Sequence, residues 1–189
     1  MTFLLRVSRA IDALNERVGH LVYWLILAAV LVSAGNATVR YLFDMSSNGW
    51  LELQWYLFSA VFLLASGYTL LHNEHVRIDV INSHLPPRVR AWIDLLGGLF
   101  FLLPMALIIM ALAWPIVIES VLRNEVSSDA GGLLRWPVKL LIPVGVLLLA
   151  LQGVSEIIKR AGFLMGRIPD PLEKHVDPIA EKFLKGAVE

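Results

Sequence analysis

Apolar positions first recur at helical spacing along this chain and then merge into long unbroken runs. Phe3, Leu4, Val7, Ile11, Leu14 and Val18 return every three or four residues, with Arg6, Arg9, Asp12, Glu16 and Arg17 on other faces. This pattern predicts an amphipathic helix over residues 1–20, lying along a membrane surface. A signal peptide shows a similar basic start, apolar run and small residues such as Gly35 and Ala37. The length and periodicity of the basic segment, and the apolar runs that follow it, favour the surface helix.

Four apolar runs follow, predicting membrane spans over about residues 21–43, 50–71, 89–121 and 134–158. The first is free of charge from Leu21 to Val39 and ends at Arg40 and Asp44. Ser46, Ser47, Asn48 and Gly49 then allow a tight reversal, and Trp50, Trp55 and Tyr56 suit a membrane interface. The second run has no formal charge over roughly 19 residues, Leu53 to Leu71, enough to cross about 30 Å of hydrocarbon. Glu52 and Gln54 lie in its first turn. There a carboxylate is favoured by the helix dipole, and the pair reads either as an ordinary interfacial helix start or as a contact for a partner helix.

His72-Asn73-Glu74-His75-Val76-Arg77-Ile78-Asp79 closes this run, and Pro86-Pro87 opens the next helix. The third run is longer than a bilayer needs, so it should tilt or project, and Pro104 and Pro115 should bend it. Residues 124–135 form a loop by composition, and Lys139 near the start of the fourth run can snorkel to headgroups. The tail over 161–189 is polar and is broken by Pro169, Pro171 and Pro178.

Composition agrees with an all-α membrane protein: 57% of residues are hydrophobic and 17% charged, too apolar for an ordinary soluble domain. Net charge is zero, so no basic excess points to nucleic acid, and the absence of cysteine excludes disulfides and thiolate chemistry. Lys and Arg fall unevenly. The N-terminus, the 72–90 loop and the tail carry twelve, whereas the opposite side has only Arg40, Arg123, Arg135 and Lys139. The positive-inside rule then puts both termini in the cytoplasm.

Chemistry is sparse. The charge-free cores hold no ionisable group, and Asn36, Gln54 and Gln152 are suited to bridging helices by hydrogen bonds. His20, His72, His75 and His84 share the cytoplasmic side in this topology, but their spacing matches no metal motif, and a haem pair belongs inside the helices. No phosphate loop, nucleophile–base pair or catalytic motif is present in the sequence.

Glu52 and Gln54, Gly67-Tyr68, His75-Val76-Arg77-Ile78-Asp79, Leu85-Pro86 and Arg90 form one ordered series. Ser128-Asp129-Ala130-Gly131-Gly132-Leu133, Trp136-Pro137, Lys139, Pro143, Gly145 and Leu151-Gln152-Gly153 form a second. Together they resemble the small, four-helix membrane subunit of tripartite ATP-independent periplasmic (TRAP) transporters, the DctQ-like family. The resemblance implies a bacterial inner-membrane protein without a cofactor of its own. Its implied partners are a larger membrane subunit, with which it forms a heterodimer, and a periplasmic binding protein that delivers an organic acid. Substrate and sodium sites are then expected in the larger subunit. Glu52, Gln54, Arg77 and Asp79 are the residues expected to contact that partner. A haem-binding four-helix anchor for quinone-linked electron transfer, or an independent small transporter, are the alternative classes.

Overall fold

The computed structural model describes residues 2–45, 47–73 and 85–169. Arg77, Asp79, His75 and His84, together with the tail beyond Pro169, lie outside the described residues. The fold is all-α, with four helices long and apolar enough to cross a membrane.

Helix α1 runs without interruption from Thr2 to Phe43, 42 residues. Residues 1–20 are therefore not a separate surface helix, which corrects the expectation from their periodicity; from Thr2 on they are the first half of α1. No proline interrupts the segment, so nothing in it stops the helix. Its apolar stripe faces inward only in part: Phe3, Leu4 and Leu14 are exposed and Val7, Ile11 and Val18 half-buried, while Ser8, Asn15, Gly19 and Val22 are buried. Lipid tails are as apolar as leucine, so in a membrane protein small and polar positions, rather than apolar ones, mark the packed face.

The chain turns at Asp44, whose φ is 50°, and α2 follows over Asn48–Leu71. Helix α3 spans Pro87–Leu122 and opens with a proline in its first turn, where the missing N–H costs nothing. It widens to a π-type turn over Gly98–Leu102, in which the Leu103 N–H donates to the Gly98 carbonyl. Pro104 explains the place: it cannot donate to the carbonyl four residues earlier, and a wide turn accommodates the lost bond. Pro115, by contrast, sits within uninterrupted helix. Helix α4 covers Trp136–Leu164.

The helices run up, down, up and down. Pairing of Glu16 with His72, Asp12 with Lys159 and Asp94 with Arg160 brings the start of α1, the end of α2, the start of α3 and the end of α4 to one end of the bundle, the terminal end. The α3–α4 connection meets the start of α2 at the other, the loop end. Helix α4 is the hub, packing on α1, α2 and α3. Glycines permit close approach: a Cβ at Gly145 of α4 would lie 2.6 Å from the Leu63 carbonyl oxygen of α2, and one at Gly67 of α2 would lie 2.2 Å from Asn15 Oδ1 of α1. The outside carries the large apolar side chains, among them Trp24 and Phe62.

Candidate functional site

At the loop end the α3–α4 connection is a small hairpin rather than an open loop. Val126 bridges Leu134, the Ser127 N–H donates to the Leu133 carbonyl at 3.0 Å, and Gly131 takes a left-handed φ of 74° in the turn. Three side chains of α2 hold it. Glu52 Oε2 accepts from the Leu133 N–H at 2.7 Å, the Tyr56 hydroxyl donates to the Leu134 carbonyl at 3.1 Å, and the Asn48 amide donates to the Ala130 carbonyl at 3.3 Å. Below the hairpin Lys139 pairs with Glu125. Its ammonium, as donor and as charge, holds the Glu125 carboxyl below the usual carboxylate range, and Arg135 adds to the effect.

Glu52 is thus occupied within its own chain, as the fastener of the hairpin. Gln54, two residues on, is different. It lines a groove between α1 and α2 with Ile26, Ser33 and Phe58, and also faces Asn36 and Arg40. Gln54 and Asn36 make no side-chain hydrogen bond to the described residues, so this groove keeps unused hydrogen-bonding capacity. The sequence places Gln54 and Asn36 among the helix bridges; within this chain they bridge nothing. Arg77 and Asp79 fall outside the described residues, and the structure assigns them no place.

At the terminal end a polar seam joins α1 to α4. Asp12 is its centre: Oδ1 accepts from Ser155 Oγ at 2.7 Å and Gln152 Nε2 at 2.9 Å, while Lys159 Nζ lies 3.2 Å from Oδ2. Asn15 Nδ2 donates to Gln152 Oε1 at 2.9 Å, and the Ser8 and Ser155 hydroxyls share a hydrogen bond of 2.7 Å. Asn15 and Gln152 are wholly buried. Lys159 continues to Glu156 at 2.5 Å, and Arg160 lies between Glu156 and Asp94. Gln152 does bridge helices, as its position suggests. Of the α1 residues in the seam, only Asp12 is singled out by the sequence, on the polar side of a surface helix; Ser8 and Asn15 are left unread. Their signal is the spacing 8, 12, 15 and 19, a small and polar stripe along one helical face.

On the α1–α2 side of this end, His72 Nε2 lies 2.8 Å from Glu16 and His20 Nε2 3.8 Å from it, and the Tyr23 and Tyr68 hydroxyls are 3.1 Å apart. Among the described residues no group of three or more His, Cys, Asp or Glu side chains is arranged to hold a metal ion. What these arrangements do chemically is fasten helices: each cluster joins residues far apart in sequence through hydrogen bonds or charge pairs.

Comparison with known proteins adds the family. Residues 29–162 match the model of the DctQ component of tripartite ATP-independent periplasmic transporters. No curated protein and no solved structure matches the chain. The match covers α2, α3, nearly all of α4 and only the last part of α1, with the hairpin and most of the α1–α2 groove between them. The chain belongs to the DctQ family and is a membrane component of a TRAP transporter, not an enzyme.

Proposed function

We propose that this chain is the static small subunit of its transporter, a scaffold for a larger membrane subunit that carries out ion-coupled uptake of an organic acid delivered by a periplasmic binding protein. The observation that carries this reading is the distribution of polar groups. Charged side chains at both ends of the bundle pair within the chain, the cores between them hold no ionisable group, and the amides of Gln54 and Asn36 face outward in the α1–α2 groove. A transport pathway needs polar groups facing a route through the membrane, whereas a scaffold needs them facing a neighbour. The sodium and substrate sites then belong to the larger subunit.

In this reading both termini are cytoplasmic, following the excess of Lys and Arg at the terminal end, and the hairpin faces the periplasm, where Glu52 holds it in shape for the binding protein. Gln54 contacts the larger subunit in a heterodimer, and Arg77 and Asp79 do so on the cytoplasmic side. The test is affinity purification of the tagged chain from mild detergent, followed by reconstitution. A larger polytopic partner should copurify, and uptake should require both chains together with the binding protein. A chain that purifies alone and transports alone overturns the proposal.

A further inference from the structure

The first half of α1 has two opposite faces. Ser8, Asp12, Asn15 and Gly19 recur at intervals of four, three and four residues, and this side meets α4 and α2. Arg6, Arg9, Ala13 and Arg17 recur at intervals of three, four and four on the other side, and all of them are exposed. Arg9 Nε donates to the Leu5 carbonyl of its own helix at 3.4 Å, and among the described residues none of the three arginines pairs with a carboxylate. The acidic residues of this segment are engaged elsewhere, Asp12 with Ser155, Gln152 and Lys159, and Glu16 with His72. The outer face is therefore cationic, and exposed Leu14 lies beside it.

Depth follows from the pairs across the bundle. The charge-free run of α2 ends at Leu71, and His72 pairs with Glu16. The first charge after the apolar run of α4 is Glu156, next to Ser155, which bonds Ser8 and Asp12. Both neighbours of α1 thus leave the hydrocarbon level with residues 8–16 of α1. At about 1.5 Å per residue, Arg9 lies about 4.5 Å and Arg6 about 9 Å beyond Asp12, while Arg17 adjoins Glu16. A headgroup layer is about 5–8 Å deep, and arginine stems extend along apolar surface toward it, so all three guanidinium groups reach that layer.

We infer that the outer face of α1 from Arg6 to Arg17 is a docking surface for anionic phospholipid in the leaflet at the terminal end. Helix α1 remains one membrane-crossing helix; the contact is made by its outer side and not by a segment lying along the surface. Charge complementarity selects the occupant. Guanidinium forks match phosphate oxygens, and a headgroup with net negative charge gains from three unpaired cations on one face. A zwitterionic headgroup also brings an ammonium, for which Arg6, Arg9, Ala13 and Arg17 offer no carboxylate. Soluble phosphate lacks acyl chains to lie along Leu14 and the apolar run that begins at Leu21. Either orientation of the termini allows this contact.

The test places a benzophenone photocrosslinker at Ala13, in the middle of the face, in the full-length protein purified with its copurifying partners. The sample is reconstituted in nanodiscs of phosphatidylglycerol and phosphatidylcholine in equal amounts, and the adducts are identified by mass spectrometry. Phosphatidylglycerol adducts should exceed phosphatidylcholine adducts by about fivefold or more, and the preference should shrink in about 1 M salt. Replacing all three arginines, Arg6→Gln, Arg9→Gln and Arg17→Gln, should bring the two lipids to parity. The corresponding Arg→Lys triple variant keeps the charge and should keep the preference. Arg17→Gln alone should lower it about fivefold at most, and serves if the triple variant fails to assemble. Arg123→Gln, at the loop end, should leave it unchanged. Parity in the unmutated chain, a preference that survives both Gln variants, or adducts to a partner chain or to this chain's own tail in place of lipid would each overturn the assignment.

Discussion

Gln152 and Glu125 show how differently polar residues act at the two ends of the bundle. Gln152 is wholly buried and serves Asn15 and Asp12 at once, so Gln152→Leu strands a buried donor and an acceptor. Interhelical hydrogen bonds in folded membrane proteins are worth about 0.6 kcal/mol each and reach about 1.7, and a loss of about 1–2 kcal/mol for the two that Gln152 makes is expected in reversible unfolding in mixed micelles. Glu125 is a loop residue whose proton affinity is lowered by Lys139. The native state therefore binds this proton less readily than the unfolded chain. Its contribution is full above the ordinary carboxylate value of about 4.3 and fades as pH falls through the depressed native value. Amide exchange across residues 125–135 should accelerate below that range, and Lys139→Met should weaken the pH dependence, leaving the smaller part due to Ser120 and Arg135. Sequence alone made Gln152 legible, since a lone amide in an apolar run has few uses. It did not reveal Glu52 as a hairpin fastener, because its acceptor role depends on Leu133, 81 residues away.

Helices were the most legible level, and their faces the least. Continuous apolar runs mark spans by length alone, which is why four helices long enough to cross a membrane appear where the runs lie. Periodicity misled at α1, where Phe3, Leu4 and Leu14 of the apolar stripe are exposed and Ser8, Asn15 and Gly19 form the buried face. The hydrophobic effect that makes amphipathicity informative in water does not distinguish a helix neighbour from lipid. Two glycines separate these cases experimentally. Gly145→Val places carbon against the Leu63 backbone, which cannot yield as a side chain does, and should cost about 1–3 kcal/mol while forcing α2 from α4. Gly35→Leu has open space around its Cβ and should change stability by no more than about 0.5 kcal/mol.

At the scale of the molecule, the absence of cysteine makes topology directly measurable. Single cysteines at Phe3 and Ala130 lie at opposite ends of the bundle. With both termini cytoplasmic, a membrane-impermeant maleimide added to intact spheroplasts should label Ala130→Cys and spare Phe3→Cys; the reverse pattern inverts the proposed topology. The family was legible from residues 50–160 because its ordered blocks fall in α2, α4 and the connections, and the family match spans 29–162. The seam half contributed by Ser8, Asp12 and Asn15 lies before that match, so no family pattern could have drawn attention to it. Helix α4, on which the other three pack, is also the last of the four to leave the ribosome. Helices α1 to α3 must therefore enter the bilayer before their common partner exists, with Asp12, Asn15 and Ser8 facing lipid, water or the insertion machinery in the interval. Assembly of the four-helix bundle waits for α4, and a chain cut short before Trp136 should be a substrate for quality-control proteolysis rather than a smaller bundle.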